Sequence, residues 1–89
     1  MTMVRIEVEV MNEAGIHARP AAMLVKVANR YQSELLIEKD DMKINGKSIM
    51  GIITLGATHK SRLTISVEGP DEEEAASAIK QLFLNRFEE

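Results

Sequence analysis

The sequence predicts an α+β fold: an open-faced β-sandwich in which three helices cover one face of a four-stranded antiparallel sheet. Two observations carry this expectation. Four short runs alternate apolar and polar residues with a period of two, so each strand has one buried and one solvated face. Three other runs repeat apolar residues at helical spacing, and the two kinds of run follow one another as β-α-β-β-α-β-α.

The first strand is read from Val4, Ile6, Val8 and Val10, which alternate with Arg5, Glu7 and Glu9. Loop residues follow from Asn12 to Gly15, and the period then changes. Ala21, Leu24, Val25 and Ala28 fall on one helical face, with Lys26, Asn29 and Arg30 off it. Pro20 sits in the first turn, where the backbone donor it lacks would have no helical partner. This helix is expected to fade near residues 31–33. Leu35 and Ile37 alternate with Glu34, Leu36 and Glu38; Lys39-Asp40-Asp41 forms a turn, and Met42 to Ile44 completes a hairpin.

Asn45-Gly46 breaks that strand. Ser48 then precedes Ile49, Met50, Ile52, Ile53 and Leu55 in the position of an N-cap. Gly51 and the β-branched residues weaken the helix, and the run also fits a buried strand; helix is the preferred reading. A polar loop spans Gly56 to Ser61. Leu63, Ile65 and Val67 alternate with polar residues in a fourth strand, and Gly69-Pro70 ends it. Asp71 and Glu74 have capping-box spacing ahead of a last helix with Ala75, Ile79, Leu82 and Phe83 on its apolar stripe and Arg86 near its end.

Residues 1–89 are expected to form one domain with one modest core. With only Tyr31, Phe83 and Phe87 aromatic, that core should be aliphatic. The absence of cysteine excludes disulfides, thiolate metal sites and cysteine catalysis. No apolar run approaches a membrane span, and the chain opens on a strand pattern without a signal-like segment, so a cytoplasmic protein is expected. A net charge of −3 argues against nucleic-acid binding, which needs a basic face. No long apolar edge strand is evident, and a monomer is expected. Neither a cofactor nor a metal site is read from the sequence.

The segment Gly15-Ile16-His17-Ala18-Arg19-Pro20-Ala21-Ala22 is not explained by secondary structure alone. It places His17 at the start of a helix, where the amides of Ala18 and Arg19 carry partial positive charge and suit an anion. Arg19 adds a guanidinium fitted to two-pronged phosphate contact. A nucleophilic imidazole beside an anion cradle is what a transient phosphohistidine needs. No serine or carboxylate partner for a hydrolytic triad is apparent. A histidine at a helix start is most often a cap or surface residue, and spacing alone goes no further.

The same octet closely resembles the active-site motif of the HPr family, histidine-containing phosphocarriers of the bacterial sugar phosphotransferase system. Asn45-Gly46-Lys47-Ser48-Ile49-Met50-Gly51 resembles that family's regulatory serine motif, and Thr54-Leu55-Gly56 and Leu63-Thr64-Ile65-Ser66 also match. The resemblance covers essentially the whole chain. It implies that His17 accepts a phosphoryl group from phosphorylated Enzyme I, charged by phosphoenolpyruvate, and passes it to an EIIA-type domain, with Arg19 stabilising it. It further implies that Ser48 is modified by HPr kinase/phosphorylase, and that Ile49 and Met50 dock partners.

The chain departs from the family pattern at several points. Ala18 replaces a threonine of some members. Lys60 stands where many have glycine, and a positive-φ turn there carries a cost for lysine. His59, in the same loop, reads as a solvated residue. The segment from Glu68 through Glu89, with its acidic helix start and Phe-Glu-Glu ending, looks somewhat like the nitrogen-branch paralogue, whereas the serine motif looks more like the sugar or carbon-regulation branch. A regulatory protein acting mainly through phospho-Ser48 is the competing function. A small structural domain with an incidental histidine is the remaining reading.

Overall fold

A computed structural model describes residues 3–88. The seven elements follow the expected order: β1 (Val4–Glu9), α1 (Ala18–Ala28), β2 (Glu34–Lys39), β3 (Met42–Asn45), α2 (Ile49–Leu55), β4 (Arg62–Glu68) and α3 (Glu72–Leu84). All strand pairs are antiparallel, in the spatial order β1-β4-β2-β3. β4 is therefore central, and Ile65 pairs with Ile6 on one side and Ile37 on the other. This register puts Leu35, Ile37, Leu63, Ile65 and Val67 on the covered face, where all are buried. Leu36 points away and is exposed, which is the period-two alternation expressed as burial.

α3 packs over β1 and β4, α2 lies beside β3, and α1 packs against both helices. The buried side of α1 consists of Pro20, Ala21, Leu24 and Ala28; Val25 is half-buried. α3 buries Ala75, Ile79 and Phe83 as its stripe predicts. Phe83 meets Phe87 edge to face, with centroids 4.9 Å apart. Two of the three aromatic residues thus join a core that is otherwise aliphatic. The segment over 49–55 is a helix, so the strand alternative is set aside.

The start of α3 differs from the expected capping box. Asp71 holds the N-cap position, but its carboxylate makes no cap bond within the helix. It accepts instead from the Gln32 amide (3.0 Å), the Ser33 amide (3.0 Å) and the Ser33 hydroxyl, 38 and 39 residues away in sequence. Glu72, rather than Glu74, reaches back to accept from the Gly69 amide at 3.1 Å. The local pattern identifies the helix start at Asp71 but not the bonds made there: a long-range contact takes Asp71 over, and Glu72 replaces Glu74. Gly69 permits that approach, because a Cβ there would lie 2.5 Å from the Ser33 Cα.

Candidate functional site

The loop from β1 to α1 is shaped to deliver His17. The Asn12 side-chain amide donates to the Gly15 carbonyl and closes the turn. Gly15 takes φ 74, and a Cβ on it would fall 2.7 Å from the Ala57 carbonyl oxygen. Ile16 donates to that same oxygen at 2.9 Å and buries its side chain, tying the loop to the segment after α2. The chain then emerges with His17 exposed, in extended conformation (φ −104, ψ −162), as the N-cap of α1.

His17 makes no side-chain cap bond, and the first turn of α1 contains no acidic residue. The first intrahelical bond runs from the Ala21 amide to the His17 carbonyl at 2.9 Å. Ala18 and Arg19 precede it, and Pro20 has no amide to offer. The helix end therefore keeps its partial positive charge facing the imidazole.

A shallow depression of about 290 Å³ opens at this point, lined by His17, Arg19 and Pro20. Part of its lining is not evident in the sequence: Arg86, Phe87 and Glu88 from the C-terminal segment line it too. Arg86 reads in sequence only as a cation near a helix end. The signal that was available is Phe87, an aromatic residue four positions after Phe83, which buries itself and turns the chain back toward His17. Glu89 of the Phe-Glu-Glu ending lies outside the described residues.

Ser48 caps α2, accepting from the Gly51 amide at 3.0 Å. It stands apart from the His17 depression, at the start of a helix that packs on α1. Ile49 is 40 % exposed and Met50 67 % exposed, so neither is a core residue. Ile53, 43 % exposed and four residues after Ile49, extends the same apolar surface; in the sequence it reads only as part of the helical run. His59 is exposed in the loop between α2 and β4. Lys60 beside it takes φ 72 while its amide bonds to the Val10 carbonyl at 2.7 Å, so the left-handed turn is kept despite the missing glycine. Among the described residues no cluster of His, Cys, Asp or Glu could hold a metal ion. No helix among them is long and apolar enough to cross a membrane.

Comparison with known proteins agrees with this geometry. Residues 4–85 match the family model described as the PTS HPr component phosphorylation site. The chain is 50 % identical over 82 residues to the phosphocarrier protein HPr of Treponema pallidum, covering 92 % of this chain and 93 % of that one. It is 49 % identical over 77 residues to the HPr-like protein Crh of Halalkalibacterium halodurans, covering 86 % and 92 %. An HPr structure from Thermoanaerobacter tengcongensis superposes with a TM-score of 0.88 at 46 % identity, covering 100 % of this chain and 99 % of that one. HPr from the same organism has also been solved as a dimer, so the monomer expectation does not carry over from the family. The open-faced α+β architecture, the match over residues 4–85 and the half-identical relatives together place the chain in the HPr family of phosphocarriers of the phosphotransferase system.

Proposed function

We propose that this protein carries a phosphoryl group on His17, taken from phosphorylated Enzyme I and passed to EIIA-type domains. The observation that carries the reading is the exposed imidazole at an uncapped helix N-terminus, in one depression with two arginines. A ring nitrogen of His17 forms a bond to phosphorus as the bond to the donor breaks, and the reverse occurs on transfer to the acceptor. Charge gathers on the three equatorial oxygens during each step, and the helix end and Arg19 oppose it. The protein turns over within a relay and completes no reaction alone. It acts in the cytoplasm, as one domain spanning residues 1–89, and as a monomer, a state favoured by the lack of a long apolar edge strand in the sequence pattern, although an HPr of Thermoanaerobacter tengcongensis has been solved as a dimer.

Ser48 is the regulatory site for HPr kinase/phosphorylase. A phosphate there would sit at the N-terminus of α2, where a dianion is favourable, so the fold tolerates it. The exposed Ile49 and Met50 form the surface on which partners dock, and charge on Ser48 alters that docking. A second reading, in which phospho-Ser48 is the main functional state, draws on the near-equal identity to HPr and to the HPr-like protein Crh.

Intact-mass spectrometry after incubation with Enzyme I and phosphoenolpyruvate tests the carrier role. One acid-labile phosphoryl group, lost in His17→Ala, is expected. No label on the protein while a known HPr is labelled beside it, or label that persists in His17→Ala, would contradict it. Labelling by HPr kinase/phosphorylase and ATP that disappears in Ser48→Ala tests the regulatory site separately.

A further inference from the structure

The C-terminus of α3 is built in a way that its own stability does not require. Asn85 is the C-cap; the Arg86 amide donates to the Phe83 carbonyl (3.1 Å) and the Phe87 amide to the Leu82 carbonyl (3.0 Å). This pair of bonds is the Schellman motif, in which the residue after the cap is left-handed and is usually glycine. Here that residue is Arg86, at φ 57, and Phe87 follows at φ 58. A side chain in this conformation crowds its own backbone, so arginine makes the turn at a cost that glycine would avoid. The turn persists because Phe87 is buried and stacks edge-on against Phe83. The Arg86 side chain is exposed and lines the depression that holds His17 and Arg19. A left-handed non-glycine residue beside a reactive group points to a use for its side chain.

We propose that Arg86 is a second cationic contact for the phosphoryl group on His17, beside Arg19 in the same depression. The proposal rests on the reading of His17 as the acceptor. A phosphoryl group brings up to two negative charges into a depression whose described charged walls are Arg19, Arg86 and Glu88. Arg86 tips that balance toward an anion, and its planar fork suits phosphoryl oxygens. Its effect belongs to the phosphorylated state, so it shifts where phosphoryl groups reside in the relay.

The test is a competition. Phosphorylated wild type is mixed with an equal amount of unphosphorylated Arg86→Gln and a trace of Enzyme I, and the partition at equilibrium is read by intact mass. Arg86→Gln keeps a strained non-glycine residue and removes only the charge. The phosphoryl group is expected to favour wild type by about 1.5- to 5-fold, the range of one exposed charge contact, and to do so less at high salt. Arg86→Lys should restore most of the preference. Arg86→Gly separates charge from backbone: its melting temperature should rise by a few degrees while it still loses the competition. Equal partition between wild type and Arg86→Gln, with both chains labelled, overturns the proposal alone. No label on either chain, with a known HPr labelled, overturns the His17 reading and this proposal with it.

Discussion

Two helix N-termini in this molecule are equipped in opposite ways. α1 begins at His17 with no side-chain cap and no acid in its first turn. α3 begins at Asp71 with Glu72, Glu73 and Glu74 in its first turn, and both Asp71 and Glu72 are bonded to backbone amides. Both ends carry the same partial positive charge. At α3 that charge is opposed by the chain's own carboxylates, of which Asp71 fastens the helix to the loop before β2 and Glu72 closes back on Gly69. At α1 it is left facing an exposed imidazole. One end is fastened into the fold, and the other lacks such side-chain stabilisation, which on the proposed reading an external anion supplies.

The largest expected effect comes from unfastening the closed end. Asp71→Asn removes the ionised acceptor of three bonds, and a clear fall in the urea midpoint is expected. pH sharpens this. Hydrogen bonds from the Ser33 hydroxyl, then from the Gln32 amide, hold the Asp71 carboxyl below its ordinary value of 3.8, against a smaller opposing push from burial. The unfolded chain therefore takes up the proton first. The stabilisation is present above the ordinary value and is lost as pH falls through the lower folded value; this component should vanish from the acid titration of Asp71→Asn.

Making the open end resemble the closed one should move function and stability in opposite directions. Ala18→Glu places a carboxylate in the first turn of α1. It should stabilise the fold by about 0.3–1 kcal/mol in thermal unfolding. In the phosphoryl competition against wild type it should lose by about 1.5- to 5-fold, because like charges now meet. A variant that gains stability with no loss of phosphoryl group would break the comparison.

The remaining expectations are smaller and concern ends and turns away from His17. Ser48→Ala should cost about 0.5–2 kcal/mol in urea unfolding, the usual value of an N-cap, since it removes the bond to the Gly51 amide. Lys60→Gly should stabilise by about 0.5–1 kcal/mol, the relief of a left-handed lysine less the greater freedom of glycine in the unfolded chain. Neither change should alter labelling of His17 by Enzyme I.

The fold was legible in the sequence because its elements are locally consistent. Period-two alternation marks β1, β2 and β4, and Ser48 marks α2 even though Gly51 and Ile52 weaken that helix by propensity. That His17 and Arg19 lie together was legible because they stand two apart in one motif, and they line one depression. What escaped is what the chain assembles over distance. Asp71 looks like a local cap, yet its partners lie 38 and 39 residues away. Arg86 and Glu88 reach the His17 depression only because Phe87 folds the end of the chain inward, and no local pattern reports such a turn without glycine. Ile53 joins the exposed face of α2 because the core side of that short helix is already taken by Ile52 and Leu55.

The central claim is that the open end of α1 receives the phosphoryl group. Amide ¹H–¹⁵N spectra recorded before and after phosphorylation by Enzyme I and phosphoenolpyruvate test it most directly. The account predicts the largest shifts at the Ala18 and Arg19 amides, with little change at Gly51 or in the first turn of α3. Shifts centred on the His59 loop or on Gly51, with Ala18 and Arg19 unmoved, would contradict it.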